Sequence, residues 1–377
     1  MANFGQKNFK IVLVAPYFYP HKGGLEQFCF ELANRLSQKS HKLIVITSHR
    51  EFKKEKIKKI EVVRLKSFDL LSGRFPLPKI SFLNLKTLRK NYLQKPDITI
   101  LNTRFFPINF LVAIFSKIYK TKIIHIEHGT GYPKLESFLK SLIAKIYDNT
   151  FGRWTISLAE KVVVISTPAS LFAKKLGAKN VSVIYNSVDC NFFKREKEAP
   201  KDKINIVFIG RLIEAKGVQD LTKAFKKIKG ENLNLNIVGE GFFKDTLEKM
   251  AKKDKRIRFL GEKSQKEIKE ILEQSHILVN PSYSEGLPTS VLEAGAMEVP
   301  VLATDVGGTR EIIDDKKNGF LIKPKDVTNL KKRLTILVKN SKIREKFGKM
   351  LRKKIEEKFS WDKNIEKFLK IIEECKK

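Results

Sequence analysis

The chain has 377 residues, 42% of them hydrophobic, and its 75 lysines and arginines outnumber 41 aspartates and glutamates to give a formal charge of +34. This length fits two domains of roughly 150 residues each, and the many Phe, Ile, Leu and Val residues exclude a disordered protein. The charge favours polyanionic partners, whether a membrane, nucleic acid or phosphorylated substrates, but assigns none of them because lysines occur along nearly the whole chain.

Three further features concern location. The longest apolar stretch, 105–115, is interrupted by a proline and an asparagine and is shorter than the roughly 20 residues of a membrane-crossing helix. The apolar run that follows Lys7 and Lys10 is short and lacks a small-residue cleavage site, so it predicts a buried strand rather than a secretion signal. Three cysteines without metal-ligand spacing fit a reducing cytoplasm. They are Cys29, Cys190 and Cys375.

Short apolar runs alternate with helical patterns, which is typical of parallel strands joined by crossover helices. In the first half of the chain the predicted strands are 11–15, 43–47, 62–65, 98–102, 123–127, 162–166 and 181–185. A polar stretch, 194–203, then predicts a linker. After it the pattern restarts, with predicted strands at 204–209, 233–238, 258–261, 277–280 and 299–303.

The alternation predicts an α/β protein with two doubly wound, Rossmann-like domains. We expect an N-terminal domain over residues 1–190, a C-terminal domain over 203–358 and a last helix within 359–377. The apolar stripe of that helix favours its return to the first domain. Because ligands bind at the carboxyl ends of parallel strands, two such domains facing each other would enclose a ligand in a cleft.

Two glycines directly follow the first predicted strand. Gly23 and Gly24 permit close backbone approach where a loop enters a helix, as a phosphate site requires. A turn without a ligand is the alternative, because the full G-x-G-x-x-G fingerprint is absent. Gly239 and Gly241, after a later strand, also lack the third glycine, so neither pair predicts a nicotinamide enzyme.

A histidine follows the predicted strand 123–127. His128 precedes a glycine at the carboxyl end of that strand, where its ring or its carbonyl group can meet a sugar. The alternative is a purely structural histidine. His125, within the strand itself, is expected to be buried.

Two cations follow the strand 204–209. Arg211 offers a planar fork of donors and Lys216 a compact point charge, and both suit a diphosphate whose charge is neutralised without a metal. The sequence contains no Asp-x-Asp pair and no His-x-x-x-His spacing, so no metal site is predicted. An ordinary solvated loop is the alternative for this pair taken alone.

The segment 281–308 carries the most specific signal, because Glu285 and Glu293 flank a predicted helix start. Such a start presents backbone N–H groups and the positive end of the helix dipole to a phosphate, while carboxylates accept hydrogen bonds from sugar hydroxyls. The intervening residues favour a tight loop and a helix cap. They are Gly286, Leu287, Pro288, Thr289 and Ser290. The combination predicts a nucleotide-sugar site.

In this order the motifs resemble the retaining glycosyltransferases of family 4, also called group 1, which share the two-domain GT-B fold. The resemblance covers nearly the whole chain: GGLE at 23–26, HG at 128–129, NSVD at 186–189, GRLIEAKG at 210–217, VGEG at 238–241 and the E-x7-E segment. One departure is Ser187, where the family more often has glycine.

The resemblance implies that Arg211 and Lys216 clasp the donor diphosphate, while Glu293 binds the ribose and Glu285 contacts the transferred sugar. His128 would lie beside that sugar, so the implied catalytic set is Glu285, His128, Arg211 and Lys216. The other implied donor-binding residues are Gly23, Gly24, Gly286, Leu287, Pro288, Thr289, Gly239, Gly241 and Gly261.

The implied activity is transfer of a hexosyl or N-acetylhexosaminyl group from a UDP- or GDP-linked donor to a saccharide or lipid-linked acceptor. Retention of the anomeric configuration, no cofactor, no metal and no nucleic-acid partner are expected. A nucleotide-sugar epimerase or a phosphorylase on the same fold is an alternative, and so is a non-enzymatic polyanion-binding protein.

The only indications of where the acceptor binds are three segments that are both basic and apolar, at 52–60, 104–122 and 134–147. The last of them predicts an amphipathic helix that can lie on an anionic membrane surface. The alternative is an ordinary helix packed on its sheet. We therefore expect a cytoplasmic protein, with peripheral attachment to the inner face of the cell membrane as a hypothesis.

Overall fold

The computed structural model describes residues 8–21, 23–70, 75–133 and 137–376. The chain forms two compact units, here called the N-unit (Met1–Ile184 with Ile365–Lys377) and the C-unit (Tyr185–Asn364). The stretch 185–203 thus belongs to the C-unit, although the sequence places a linker at 194–203. One reason is Arg195, whose guanidinium donates to the carbonyl groups of Leu272 and Ser275 at 3.2 and 2.8 Å.

The described strands of the N-unit are β1 (Lys10–Ala15), β2 (Lys42–His49), β3 (Lys53–Ile57), β4 (Ile60–Leu70), β5 (Phe75–Pro78), β6 (Ile98–Asn102), β7 (Lys122–Glu127), β8 (Lys161–Val164) and β9 (Val181–Val183). Its helices are α1 (Gly24–Gln38), α2 (Phe82–Leu93), α3 (Pro107–Ile118), α4 (Phe138–Tyr147), α5 (Arg153–Ser157) and α6 (Thr167–Lys175). A π-helical turn, Asp148–Gly152, joins α4 to α5.

The N-unit sheet is centred on β1, which pairs in parallel with β2 on one side and β6 on the other. The strand order is β3-β4-β2-β1-β6-β7-β8-β9, with β5 paired to β4. Strands β3 and β5 run antiparallel to β4. In β1 every residue after Lys10 is buried, as expected for a parallel strand covered by helices on both faces.

The described strands of the C-unit are β10 (Ile204–Ile209), β11 (Leu233–Val238), β12 (Ile257–Gly261), β13 (Ile277–Asn280), β14 (Val301–Thr304) and β15 (Phe320–Ile322). Its helices are α7 (Val218–Lys226), α8 (Lys244–Ala251), α9 (Gln265–Glu273), α10 (Thr289–Ala296), α11 (Thr309–Ile312), α12 (Val327–Lys339) and α13 (Ser341–Lys358). A single 3₁₀ turn, Glu214–Lys216, precedes α7.

The C-unit sheet has the order β12-β11-β10-β13-β14-β15, and every pairing in it is parallel. Its core includes Phe208, Leu235 and Val279, which are almost entirely buried. The connections leave β10 in one direction toward β11 and later return on its other side to β13. Doubly wound sheets bind ligands at such a switch point, outside the carboxyl ends of the two central strands.

The last helix, α14 (Trp361–Lys376), begins in the C-unit and continues in the N-unit. Within the N-unit its Phe368 ring lies 6.2 Å from the Phe28 ring of α1, measured between centroids. The ammonium group of Lys376 lies 2.7 Å from a carboxylate oxygen of Asp97. The apolar stripe of α14 therefore packs on the N-unit, with an ion pair near the end of the chain.

The predicted α/β class with two doubly wound sheets is confirmed. Over the ranges described, the structure has no helix that is both long and apolar enough to cross a bilayer. The three cysteines are free thiols, and two of them, Cys29 and Cys190, are buried.

Candidate active site

The loops that follow β10 and β13 meet at the switch point of the C-unit. There the ammonium nitrogen of Lys216 lies 2.6 Å from Oε1 of Glu285, and the two side chains are 22% and 10% exposed. Gly217 makes this approach possible, because its φ is +67° and an added Cβ would lie 2.0 Å from the carbonyl oxygen of Pro281. Only glycine fits there without displacing backbone.

The carboxylate of Glu285 is held by further polar groups. The Ser282 hydroxyl lies 2.7 Å from Oε1 of Glu285 and 2.6 Å from Oδ1 of Asn280. The amide nitrogen of Asn280 lies 3.5 Å from the same glutamate oxygen. Because several neighbours fix it, this carboxylate has a defined position before any ligand binds, as orientation of a sugar hydroxyl requires.

A third loop, between β14 and α11, contacts the loop after β13, which carries Glu285. The backbone N–H of Gly308 donates to the carbonyl oxygen of Gly286 at 2.8 Å, and the Thr304 hydroxyl donates to the carbonyl oxygen of Ser282. At Gly307, where φ is +53°, an added Cβ would lie 1.8 Å from the carbonyl oxygen of Glu285. The backbone of this loop is therefore in direct contact with the residue that carries the candidate carboxylate.

Tyr283 joins the loop after β13 to α7. Its hydroxyl donates to Asp220 at 2.7 Å and accepts from the Gln219 amide at 2.8 Å. Sequence reasoning missed this group and the supporting residues Asn280, Ser282, Thr304, Gly307 and Gly308. The available signal was their position, because polar or small residues end or follow the predicted strands 277–280 and 299–303 next to the glutamate motif.

Helix α10 begins differently from the prediction. Its N-cap is Pro288, and Thr289 and Ser290 are already its first helical residues, so neither hydroxyl caps the helix as expected. The ring of Pro288 offers no acceptor, so no side-chain cap satisfies the first N–H groups. A helix start of this kind, next to Gly286 and Leu287, is suited to binding an anion.

Glu293 lies in the second turn of α10 and is partly buried. Desolvation raises the pKa of its carboxyl group to about 7. Among the residues that the structure describes, the Glu293 side chain has no hydrogen-bond partner. Near neutral pH the group is therefore divided between a protonated form and a carboxylate that can accept hydrogen bonds from ligand hydroxyls.

Arg211 follows β10 and is exposed. No carboxylate of the described chain lies within ion-pair distance of its guanidinium, in contrast to Lys216. The Leu212 N–H next to it donates to the carbonyl oxygen of Glu240 at 2.9 Å, which joins this loop to the one after β11. Arg211 is thus a cation on an ordered loop at the switch point.

The three predicted donor-binding glycines beyond β11 have packing roles of their own. At Gly239, where φ is +134°, an added Cβ would lie 2.0 Å from the carbonyl oxygen of Gly210, and at Gly241 it would lie 2.3 Å from that of Leu212. At Gly261 φ is +70°, a conformation that favours glycine, and its carbonyl oxygen accepts a hydrogen bond from the N–H of Gly239 at 2.8 Å. These contacts explain the glycines without a ligand, and their donor-binding role stays a prediction.

In the N-unit, α1 begins directly after the loop that follows β1, with Gly23 as its N-cap and Gly24 as its first residue. No side chain caps this start. An added Cβ at Gly23 would lie 2.2 Å from a carboxylate oxygen of Glu26. An uncapped helix start at the carboxyl end of the central strand is compatible with the predicted phosphate contact.

His128 follows β7, at the same edge of the N-unit sheet. One ring nitrogen lies 3.4 Å from the side-chain oxygen of Asn102, and the Phe28 ring meets the imidazole edge to face at 4.8 Å. Desolvation lowers the pKa of His128 to about 4. The imidazole is therefore neutral at pH 7 and can offer a hydrogen bond to a sugar, but not a positive charge.

A buried charged cluster lies beneath the His128 loop. The Arg104 guanidinium pairs with Glu127 at 2.6 Å and with Asp148 at 2.8 Å, and the Glu127 carboxylate also accepts from the backbone N–H of Gly129 at 2.7 Å. His125 is buried, as expected, with a ring nitrogen 3.2 Å from Glu127. Burial alone would raise the pKa of Glu127, but Arg104 and His125 hold it well below its ordinary value.

Both halves of the chain are similar to known protein families. Residues 190–354 match the family described as glycosyl transferases group 1, and residues 22–192 match glycosyltransferase family 4. An uncharacterized glycosyltransferase of Methanocaldococcus jannaschii is 30% identical in an alignment that covers 97% of this chain and 99% of that protein. The chain belongs to the family 4, group 1 glycosyltransferases.

Two further comparisons extend this result. A human protein that forms part of phosphatidylinositol N-acetylglucosaminyltransferase is 26% identical, with 82% of this chain and 64% of that protein aligned. The crystal structure of Anabaena HepE in complex with UDP-glucose has a TM-score of 0.76 at 17% identity and covers 97% of this chain and 100% of HepE. The glycosyltransferase therefore has the predicted GT-B fold.

The contact between Gly307 and Glu285 predicts that a single added methyl group strongly lowers the stability of the protein. We expect Gly307→Ala to lower the free energy of unfolding of the glycosyltransferase by about 2 kcal/mol or more, because a positive φ and a fixed backbone oxygen both oppose the side chain. Urea denaturation measures the loss. Gly131→Ala is the matched control, since its methyl group would meet no atom of the described residues within 4 Å; equal stability of the two variants would contradict the packing argument.

The raised pKa of Glu293 predicts a pH-dependent stability. Its folded pKa of about 7 exceeds the ordinary value of 4.5, so the folded state binds more protons and the free energy of unfolding falls as pH rises between these values. Glu293→Gln lacks this titration. Relative to the variant, we expect the free energy of unfolding of the wild type to fall by up to about 3 kcal/mol between pH 4.5 and pH 8.

Urea denaturation of both proteins at a series of pH values measures this difference. Glu248→Gln, at an exposed position of α8, is the control substitution and should follow the wild-type curve. Parallel curves for the wild type and Glu293→Gln would show that the pKa of Glu293 is not raised.

Proposed function

We propose that this glycosyltransferase moves a hexosyl or N-acetylhexosaminyl group from a UDP- or GDP-linked sugar to a saccharide or lipid-linked acceptor. The observation that carries the proposal is the contact of Lys216 with Glu285 beside the uncapped start of α10, where β10 and β13 end. A cation and a helix dipole suit a diphosphate, and a fixed carboxylate suits a sugar hydroxyl. The UDP-glucose bound to HepE supports a UDP-linked donor, and the name of the human relative supports an N-acetylhexosaminyl group.

The proposed chemistry follows from the charge that develops during transfer. Breaking the bond between sugar C1 and the diphosphate builds positive charge on the sugar and negative charge on the departing phosphate. Arg211, Lys216 and the start of α10 provide positive charge for that phosphate, so the proposed reaction needs no divalent ion. We propose retention of the anomeric configuration: the acceptor oxygen bonds to sugar C1 on the face that the phosphate leaves, and the leaving phosphate oxygen accepts the proton of the acceptor hydroxyl.

Lys216 and Glu285 would each bind a different part of the donor. When a diphosphate binds, the Lys216 ammonium can turn part of its hydrogen bonding to phosphate, because it has three donors. The Glu285 carboxylate can then accept a hydrogen bond from the transferred sugar while Ser282 continues to hold it. His128 would provide a neutral hydrogen bond beside the sugar, and Glu293 would accept from the ribose hydroxyls.

For the cellular location we propose the cytoplasm, which the free thiols of Cys29, Cys190 and Cys375 support. A lipid-linked acceptor would bring the enzyme to the anionic inner face of the cell membrane. Such an enzyme would act as a peripheral protein.

Donor binding is tested by a thermal-shift series with UDP, GDP, ADP and their sugars. A ligand at 100 times its dissociation constant stabilises the folded state by about 2.7 kcal/mol. A true donor should therefore raise the melting temperature by clearly more than the other nucleotides do. If none of these ligands raises it, the nucleotide-sugar proposal is wrong.

The proposed phosphate contacts predict the effect of two substitutions. We expect Arg211→Ala and Lys216→Ala each to lose about a hundredfold in turnover, because each removes one donor that stabilises charge in the transition state, worth roughly 3 kcal/mol. Release of nucleoside diphosphate measures turnover, and circular dichroism checks folding. The control is Lys223→Ala, on the exposed side of α7, which should stay active; near-normal turnover of both site variants would refute the assignment.

Metal independence has its own test. Because protein cations and the helix dipole supply the positive charge in this proposal, turnover should be unchanged after dialysis against EDTA. The dialysed enzyme is assayed with and without added magnesium or manganese. Loss of activity that either ion restores would show that a metal carries this part of the reaction.

A further inference from the structure

The apolar face of α4 is not covered by the N-unit. Of the 10 residues of this helix only Ala144 is buried. The large apolar side chains are exposed to an unusual degree: Phe138 84%, Leu139 64%, Leu142 41%, Ile143 59% and Ile146 55%. The interpretation that this helix packs on its sheet through its apolar stripe is therefore wrong, and the stripe faces outward.

The exposed face continues beyond α4 into the π-helical turn and α5. Phe151 and Trp154 are 48% and 44% exposed, and the ring centroids of both lie within 5 Å of that of Phe110, at 4.9 and 4.6 Å. The Phe151 ring also lies 5.5 Å from that of Tyr147, the last residue of α4. We call the exposed set the apolar face. It comprises Phe138, Leu139, Leu142, Ile143, Ile146, Phe151 and Trp154.

Within residues 137–157 the exposed charged side chains are basic. Between residues 137 and 157 the basic residues Lys140, Lys145 and Arg153 are exposed, and Asp148 is the sole acidic residue. Asp148 is buried and paired with Arg104, so its charge is neutralised. The exposed charge that residues 137–157 contribute is therefore positive.

An apolar face bordered by cations fits the surface of an anionic bilayer better than it fits another protein molecule. Large contiguous apolar patches are rare on proteins that stay in solution, and lysines beside apolar side chains are typical of helices that lie at the boundary of headgroups and acyl chains. A second copy of this chain would place two sets of cations against each other. Trp154 suits the same boundary, because tryptophan is enriched there.

We infer that α4, the turn after it and Trp154 of α5 form a membrane-docking surface that inserts into an anionic bilayer. That docking presents a lipid-linked acceptor to the enzyme rests on the proposed function. The docking itself does not depend on it. Asp148 at the end of α4 connects this surface to the site, because its partner Arg104 also donates to the carbonyl oxygen of Gly131 in the His128 loop at 3.1 Å. The end of this surface is therefore joined through side-chain contacts to the loop proposed to meet the sugar.

The two tryptophans of the chain make the test specific. Trp154 belongs to the apolar face, whereas Trp361 is 2% exposed. With vesicles of phosphatidylcholine and phosphatidylglycerol at low salt, we expect the full chain to co-sediment and its tryptophan emission to shift to shorter wavelength. Vesicles of phosphatidylcholine alone should bind less, and added salt should weaken binding. Trp154→Phe should still sediment but lose the emission shift.

Ile143→Asp tests the surface directly. We expect it to lower the vesicle partition coefficient by about tenfold or more, since it removes one inserted apolar side chain and adds a repelled charge. Met350→Asp is the matched control, because Met350 is 43% exposed on α13 and the substitution is of the same kind. Both variants should keep the thermal shift with nucleotide, which separates failure of docking from failure of the proposed donor site.

Three results would overturn the inference. The first is the absence of sedimentation with anionic vesicles at low salt, and the second is equal sedimentation of Ile143→Asp and the wild type. The third is a dimer in sedimentation velocity that Ile143→Asp abolishes, which would assign the apolar face to a second copy of the chain.

Discussion

The candidate site depends on the ion pair between Lys216 and Glu285. The pair forms because three loops approach each other more closely than side chains would allow: Gly217 lies against Pro281, and Gly307 lies against Glu285. Partly enclosed ion pairs contribute little net stability, because desolvation offsets much of their attraction. The arrangement is better explained as preorganisation, in which a cation and a carboxylate are already fixed where a charged, hydroxylated ligand would need them.

Glycine serves two different purposes around this pair. Gly217, Gly239 and Gly307 have positive φ and would each place a Cβ within 2.0 Å of a neighbouring carbonyl oxygen, so their role in the protein is explained by backbone packing. Gly23 and Gly24 instead open an uncapped helix in the N-unit. A glycine-rich motif is therefore weak evidence for direct ligand contact, whereas the charged residues that such glycines bring together are stronger evidence.

The sequence predicted the parts of the fold whose side chains repeat regularly. Buried parallel strands such as β1 and β10 were recognisable as continuous apolar runs. Strand β3 was missed because its sequence, KKEKI, has no apolar alternation and its residues are largely exposed at the sheet edge. In the site, the motif spacing indicated Glu285 and Lys216, but the Tyr283 contact with Asp220 joins residues 63 positions apart, so it depends on packing of the finished sheet.

The exposed face of α4 shows a different limit of sequence reasoning. An amphipathic stripe that packs on a sheet and one that faces a membrane have the same spacing, and the two differ only in whether the rest of the protein covers them. Asp148 anchors the end of this helix to the rest of the N-unit. It is buried in an ion pair with Arg104, which also binds Glu127, and breaking such a buried pair is costly. This network fixes the end of α4 to β7, the strand that His128 follows, so a bilayer that orients the helix would also orient the His128 loop.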